Sequence, residues 1–185
     1  MRATVIGSGS WGSAFSRLLA RGGHEVQVIA LTREEAAQIQ ATHENPHFLP
    51  GVHLPDEIRF VGMDDADLSD SKLLVYAVPT QAVREVARWV APRLAEGVLQ
   101  LSLAKGYEIG SLKRPTQVIA EETGAGAAAL SGPNHAEEVS KDMPSATVIA
   151  AADEAMTLAL QAAITSDTFR AVSYTHLTLP TILLV

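Results

Sequence analysis

The sequence predicts an α/β fold, a doubly wound, mainly parallel sheet with helices on both faces. Two observations carry this prediction. Short apolar, β-prone runs alternate with amphipathic helical patterns through most of the chain, the signature of successive βαβ units. The first of these units also joins its strand to its helix through Gly7-Ser8-Gly9-Ser10-Trp11-Gly12, a glycine spacing that belongs to the first turn of open α/β sheets.

The elements follow in order. Residues 3–6 form an apolar strand, and the helix after the glycine turn carries Ala14, Phe15, Leu18 and Leu19 on one face before Gly22-Gly23 closes it. A second strand is expected over 25–30 and a helix over 33–41. Residues 45–55 are punctuated by Pro46, Pro50 and Pro55, which excludes a long helix. Strands are expected over 58–61 and 73–78, the latter ended by Pro79. Val83, Val86, Ala87 and Val90 give one face of a helix that stops before Pro92. A strand over 98–103, a helix over 116–122, a strand over 127–130, a helix over 137–141, a strand over 146–151 and a helix over 153–164 complete the alternation. Residues 172–185 break it. They hold no acidic or basic residue apart from His176, show no helical period and read on their own as a C-terminal strand.

Composition narrows the class. A chain of 185 residues, 47% apolar, suits one domain with a real core. The formal charge is −7 without a lysine/arginine cluster, which argues against a nucleic-acid footprint. No apolar run approaches the roughly 18 residues of a membrane span, and the N-terminus opens as a strand rather than a signal peptide. The absence of cysteine excludes disulfides and thiolate metal sites. The expectation is an acidic, cytoplasmic protein.

The glycine turn carries the clearest chemistry. In a G-x-G-x-x-G turn the first glycine permits the bend, the second lets backbone approach a pyrophosphate, and the third lets helix pack closely on strand. The helix N-terminus then offers N–H groups and a positive dipole end to phosphate. After the second strand no carboxylate appears until Glu34, so Arg33 is the candidate contact for a 2′-phosphate, with a solvated helix charge as its equal alternative. Lys105 follows the strand over 98–103, where open sheets bind ligands, and can meet a phosphate or polarise a carbonyl. The Ser131–Glu138 stretch is a second strand-to-helix turn, with Ser131 and Asn134 as candidate caps and Asn134 facing the cleft opposite Gly9. His43 and His47 have the spacing of a metal pair, but Pro46 removes the shared helix face. Ser131 and His135 lack the surroundings of a hydrolytic nucleophile.

Six pieces in fixed order, Gly7–Gly12, 45–55, Val78-Pro79-Thr80-Gln81, Ala104-Lys105-Gly106, Leu130–Glu138 and Phe169-Arg170, together resemble the NAD(P)-dependent glycerol-3-phosphate dehydrogenases, above all the bacterial type. The resemblance implies a Rossmann-like fold and NAD or NADP as cofactor. It assigns Gly7, Ser8, Gly9, Ser10, Trp11, Gly12, Arg33, Lys105 and Ala136 to cofactor binding, and Lys105, Gly132 and Asn134 to substrate binding. It implies reduction of dihydroxyacetone phosphate to sn-glycerol 3-phosphate, a small-molecule substrate, and homo-oligomeric full-length members.

Two departures accompany it. Leu31 stands where many relatives carry arginine, which puts the usual 2′-phosphate contact in question unless Arg33 substitutes. After Phe169-Arg170 the family's segment bearing its acid/base lysine does not appear, and residues 173–180 resemble translated adapter or vector read-through. The expected organisation is therefore a dinucleotide-binding domain over 1–172 and a foreign tail over 173–185, with no catalytic residue in the chain and the helical substrate domain absent. The competing readings are another two-domain hydroxyacid or ketoacid dehydrogenase, against which residues 45–55 and 131–138 argue, and a non-catalytic NAD(P)-sensing module.

Overall fold

The computed structural model describes residues 1–174, and within them an eight-stranded sheet organises the molecule. In chain order the elements are β1 (Arg2–Ile6), α1 (Ser10–Arg21), β2 (Glu25–Ala30), α2 (Arg33–Thr42), a small hairpin of β3 (Glu44–Asn45) and β4 (Leu49–His53), and β5 (Arg59–Gly62). Then come β6 (Leu73–Tyr76), α3 (Val83–Val90), β7 (Leu99–Ser102), α4 (Pro115–Thr123), β8 (Ala128–Ser131), α5 (Ala136–Ser140), β9 (Ser145–Ala150), α6 (Glu154–Ile164) and β10 (Phe169–Tyr174). The sheet order is β10-β9-β8-β7-β6-β1-β2-β5, with the chain starting at its middle and winding outward both ways.

The central strands are apolar on both faces because helices cover both. On one side Ala3, Val5, Val28, Leu73 and Val75 pack against α1, α2, α5 and α6. On the other, Ile6, Ile29, Leu74 and Tyr76 meet the Val83, Val86, Ala87 and Val90 face of α3 and Val118 and Ile119 of α4. Two polar pairs lie inside the sheet: the Tyr76 hydroxyl donates to Gln100 Oε1 at 2.6 Å, and Thr4 and Ser71 share a hydroxyl bond of 2.7 Å. Burial holds the Tyr76 phenol well above its ordinary pKa.

The predicted elements are present, with three differences. The strand expected over 73–78 ends at Tyr76, and residues 77–79 instead lead out of the sheet into a short 3-10 turn, Thr80–Ala82. The strand expected over 146–151 lies antiparallel to β8, with Leu130 opposite Ile149. The link between them lays α5 against α1 instead of crossing the sheet, so β9 enters from the edge where β8 left. Finally, β10 continues through Val172, Ser173 and Tyr174, pairing Ser173 with Ile149 and Tyr174 with Ala150. Strand pairing uses backbone groups, so the break in side-chain pattern at 172 does not end it. The rest of the expected tail, 175–185, lies outside the described residues. Among the described residues, no helix is long and apolar enough to cross a membrane.

Candidate cofactor and substrate site

The glycine turn sits at the carboxyl edge of the sheet, between the ends of β2 and β6. Gly7 N–H donates to Ile29 O at 2.9 Å, and Ala77 N–H to Ile6 O at 2.8 Å. Gly7 has φ +112°, and a Cβ there would lie 2.5 Å from the Ala77 carbonyl oxygen. A Cβ on Gly12 would lie 2.0 Å from Gly7 O, so α1 approaches the turn only because residue 12 has no side chain. Gly9 differs from both. Its φ of −65° suits any residue, and a Cβ there would meet nothing within 4 Å. The folded chain requires glycine at 7 and 12 but leaves the space at 9 to something outside itself.

That space opens on the N-terminus of α1. No side chain caps this helix and no acid stands in its first turn, whereas Thr32 caps α2 and Asp153 caps α6. Uncapped N–H groups with the positive dipole end form an anion site. Asn45, buried at the start of the β3–β4 hairpin, holds the turn from behind: its Nδ2 donates to Ser8 O at 2.6 Å and to Ser13 Oγ at 3.0 Å. The Ser8 hydroxyl donates to Glu35 Oε1 at 2.6 Å. The half-buried Trp11 ring lies 6.1 Å from Phe15, which meets Phe169 edge-on at 6.4 Å. Sequence reasoning gave Asn45 no role; the Asn-Pro dipeptide marked a turn but not what the turn supports.

A second cluster forms where β7 and β8 end. Lys105 Nζ donates to Gly132 O at 3.1 Å. A Cβ on Gly132 would come within 2.9 Å of Asn134 Nδ2. Both amide atoms of Asn134 are buried without a partner among the described residues, a costly condition for a polar group with no ligand to meet. The helix cap expected of Asn134 is not made: His135 is the N-cap of α5 and no side chain caps it. Ala136 is buried at the start of α5, which packs on α1. Lys105 also borders a cavity of about 230 Å³ shared with Ser102, Tyr107, Arg114 and Ser131.

The Val78–Gln81 stretch explains how Lys105 is held. The Thr80 hydroxyl donates to Lys105 O at 2.6 Å, and Gln81 bonds Tyr107 O and Ile109 N–H, each at 3.0 Å. Farther along the loop, Arg84 grips Glu108 through two bonds of 2.7 Å and also meets Glu121 and Glu122. The Arg84 bonds, with one from Ser111, pull the Glu108 carboxyl down to about 2.

Just past β2, Arg33 begins α2 but is engaged by Asp65, with Nε–Oδ2 and Nη2–Oδ1 both 2.9 Å. Leu31 is 88% exposed at the end of β2. A larger cavity of about 600 Å³ runs along the outer sheet edge between α2 and β5 and shares only Arg33 with the candidate residues. The histidine pair is not assembled as a metal site. The ring of His43 lies 6.1 Å from that of His53, which meets Asp56 at 3.2 Å, and no metal-holding cluster occurs among the described residues.

Residues 2–157 match the family described as NAD-dependent glycerol-3-phosphate dehydrogenase N-terminus. A glycerol-3-phosphate dehydrogenase [NAD(P)+] of Pelotomaculum thermopropionicum is 44% identical over 153 residues, 80% of this chain and 44% of its own. A second from Mycobacterium tuberculosis is 42% identical over 170 residues, 90% of this chain and 51% of its own. The chain thus spans about half the length of the curated relatives it matches. The crystal structure of glycerol-3-phosphate dehydrogenase from Coxiella burnetii superposes with a TM-score of 0.86 at 25% identity, covering 95% of this chain and 54% of that one. The glycine turn, the fold and these likenesses agree, and the chain belongs to the NAD-dependent glycerol-3-phosphate dehydrogenase family, whose N-terminal part it matches.

Proposed function

We propose that this chain is the cofactor-binding half of an enzyme that reduces dihydroxyacetone phosphate to sn-glycerol 3-phosphate, the backbone precursor of glycerophospholipids. The observation that carries the reading is Gly9, a glycine the folded chain does not need, facing open space at an uncapped helix N-terminus. The bound nicotinamide cofactor would supply a hydride to the ketone carbon.

The chain's own residues bind and orient. Gly7 would make the bend, its N–H being spent on Ile29 O, and Ser8, Gly9, Ser10, Trp11 and Gly12 would receive the pyrophosphate on the backbone of the turn. Ala136 would flank the cofactor from α5, and Arg33 would stand at its adenosine end. Lys105 would hold the substrate with its ammonium, and Asn134 would satisfy its two buried amide atoms on the same ligand beside Gly132. None of the four lysines fills the role of the family's acid/base lysine. Lys113 is tied to Glu121 at 2.7 Å, Lys105 is already assigned to holding the substrate, and Lys72 and Lys141 lie outside any matching motif. A missing general acid alone costs about 10²–10⁴ in rate. The 185-residue polypeptide assayed by itself is therefore expected to bind cofactor without turning over dihydroxyacetone phosphate.

Calorimetric titration with NADH and NADPH tests the site. Binding that disappears in Gly9→Val is the expected result, because the valine fills the approach to the helix N-terminus. Undiminished binding in Gly9→Val would overturn it.

A further inference from the structure

We infer that this chain is built to take NADH in preference to NADPH, through Asp65 and Glu35 at the adenosine end; the inference rests on the cofactor site proposed above. The two cofactors differ by one phosphate on the adenosine ribose, carrying about −1.5 to −2 charges near neutral pH. Open α/β sheets recognise that position from the end of the second strand, with a carboxylate for the free hydroxyl or an arginine for the phosphate.

Here the strand ends at Ala30 and is followed by Leu31, an exposed side chain with no group to bind phosphate. The nearest cation, Arg33, already presents its fork to Asp65 through two bonds of 2.9 Å. Both partners are well exposed, and such pairs are weak by themselves. Charge decides the matter rather than the strength of the pair. If Arg33 swings to a phosphate, the Asp65 carboxylate stays beside it, so the two together offer no net positive charge.

Glu35 then tips the balance. It lies in the first turn of α2 and is fixed against the glycine turn by Ser8, whose hydroxyl occupies Oε1. Its Oε2 has no partner among the described residues and remains an acceptor for a ribose hydroxyl. Toward a phosphate at the same place it is a like charge. Glu34 adds a second carboxylate to the same helical turn. Arg59 shares the neighbouring edge cavity, but so do Asp56 and Glu57.

The experiment measures dissociation constants of NADH and NADPH for the 185-residue chain by calorimetry at fixed ionic strength, then for Asp65→Asn and Glu35→Gln. The expected result is NADH tighter by about tenfold or more, equivalent to about 1.4 kcal/mol. Asp65→Asn should shrink that ratio by freeing Arg33, and Glu35→Gln should shrink it by removing the like charge. NADPH binding as tightly as NADH to the unsubstituted chain would overturn the inference while leaving the cofactor site intact. A ratio unmoved by both substitutions would overturn the roles given to Asp65 and Glu35. Binding of neither cofactor would overturn the site itself.

Discussion

An alanine at Gly12 has no room, since its Cβ would lie 2.0 Å from a backbone oxygen that cannot swing aside. One at Gly7 is strained at φ +112° and strikes the Ala77 carbonyl. Each substitution is expected to cost about 1–3 kcal/mol or more in urea denaturation, as overpacking does. Gly9→Ala should fold with stability within about 0.5 kcal/mol of the parent, as an unhindered surface change does, yet lose NADH affinity. Equal destabilisation at all three positions would show that Gly9 serves the fold and not a ligand. Asn45→Ala tests the support behind the turn. It removes one of the two donors to the Ser8 carbonyl, leaving the Ser13 hydroxyl at 3.1 Å, and is expected to cost about 0.5–1.5 kcal/mol, the net contribution of a hydrogen bond. The geometry of the glycine turn and the Lys105 and Gly132 loops were legible as candidates because their motifs are local. Asn45 was not, because its effect on Ser8 depends on a hairpin folding 37 residues of chain back beneath the turn.

Among the elements, the loop that carries Lys105 is held by charge as well as by Thr80 and Gln81. Arg84 holds the Glu108 carboxyl at about 2, below the ordinary 4.5, and the neighbouring Glu121 and Glu122 are lowered by Lys113, Arg88 and Arg84. A carboxylate with a depressed folded pKa contributes stability that is fully present above its unfolded value. That contribution is lost as pH falls from about 4.5 toward 2. Urea midpoints measured across that window should fall steeply for the parent and less steeply for Arg84→Met. Parallel acid limbs would remove this network from the account. Helix and strand identities here were readable from periodicity. Strand direction was not, because an apolar run reads the same either way; the placement of α5 on α1 turned β9 antiparallel.

At the scale of the whole molecule, β10 closes one end of the sheet, with Phe169 and Ala171 in the core and Phe169 against Phe15. Its register with β9 is complete by Tyr174. The doubly wound class and the position of the glycine turn were visible in the alternation of apolar runs and in one glycine motif. The closing strand was harder to read because its later residues carry no core-facing pattern, and backbone pairing alone extends it.

The central claim is that a dinucleotide lies across the Gly7–Gly12 turn toward Lys105 and Asn134. Two-dimensional ¹⁵N–¹H spectra recorded while NADH is added test it most directly, because every amide reports separately. The account predicts the largest changes at the backbone amides of Gly9, Ser10, Trp11 and Gly12, with the Asn134 side-chain amide and the Lys105–Gly106 backbone moving at the same NADH concentrations. Changes confined to the α2–β5 edge around Phe60 and Gln40, with the glycine turn silent, would contradict it.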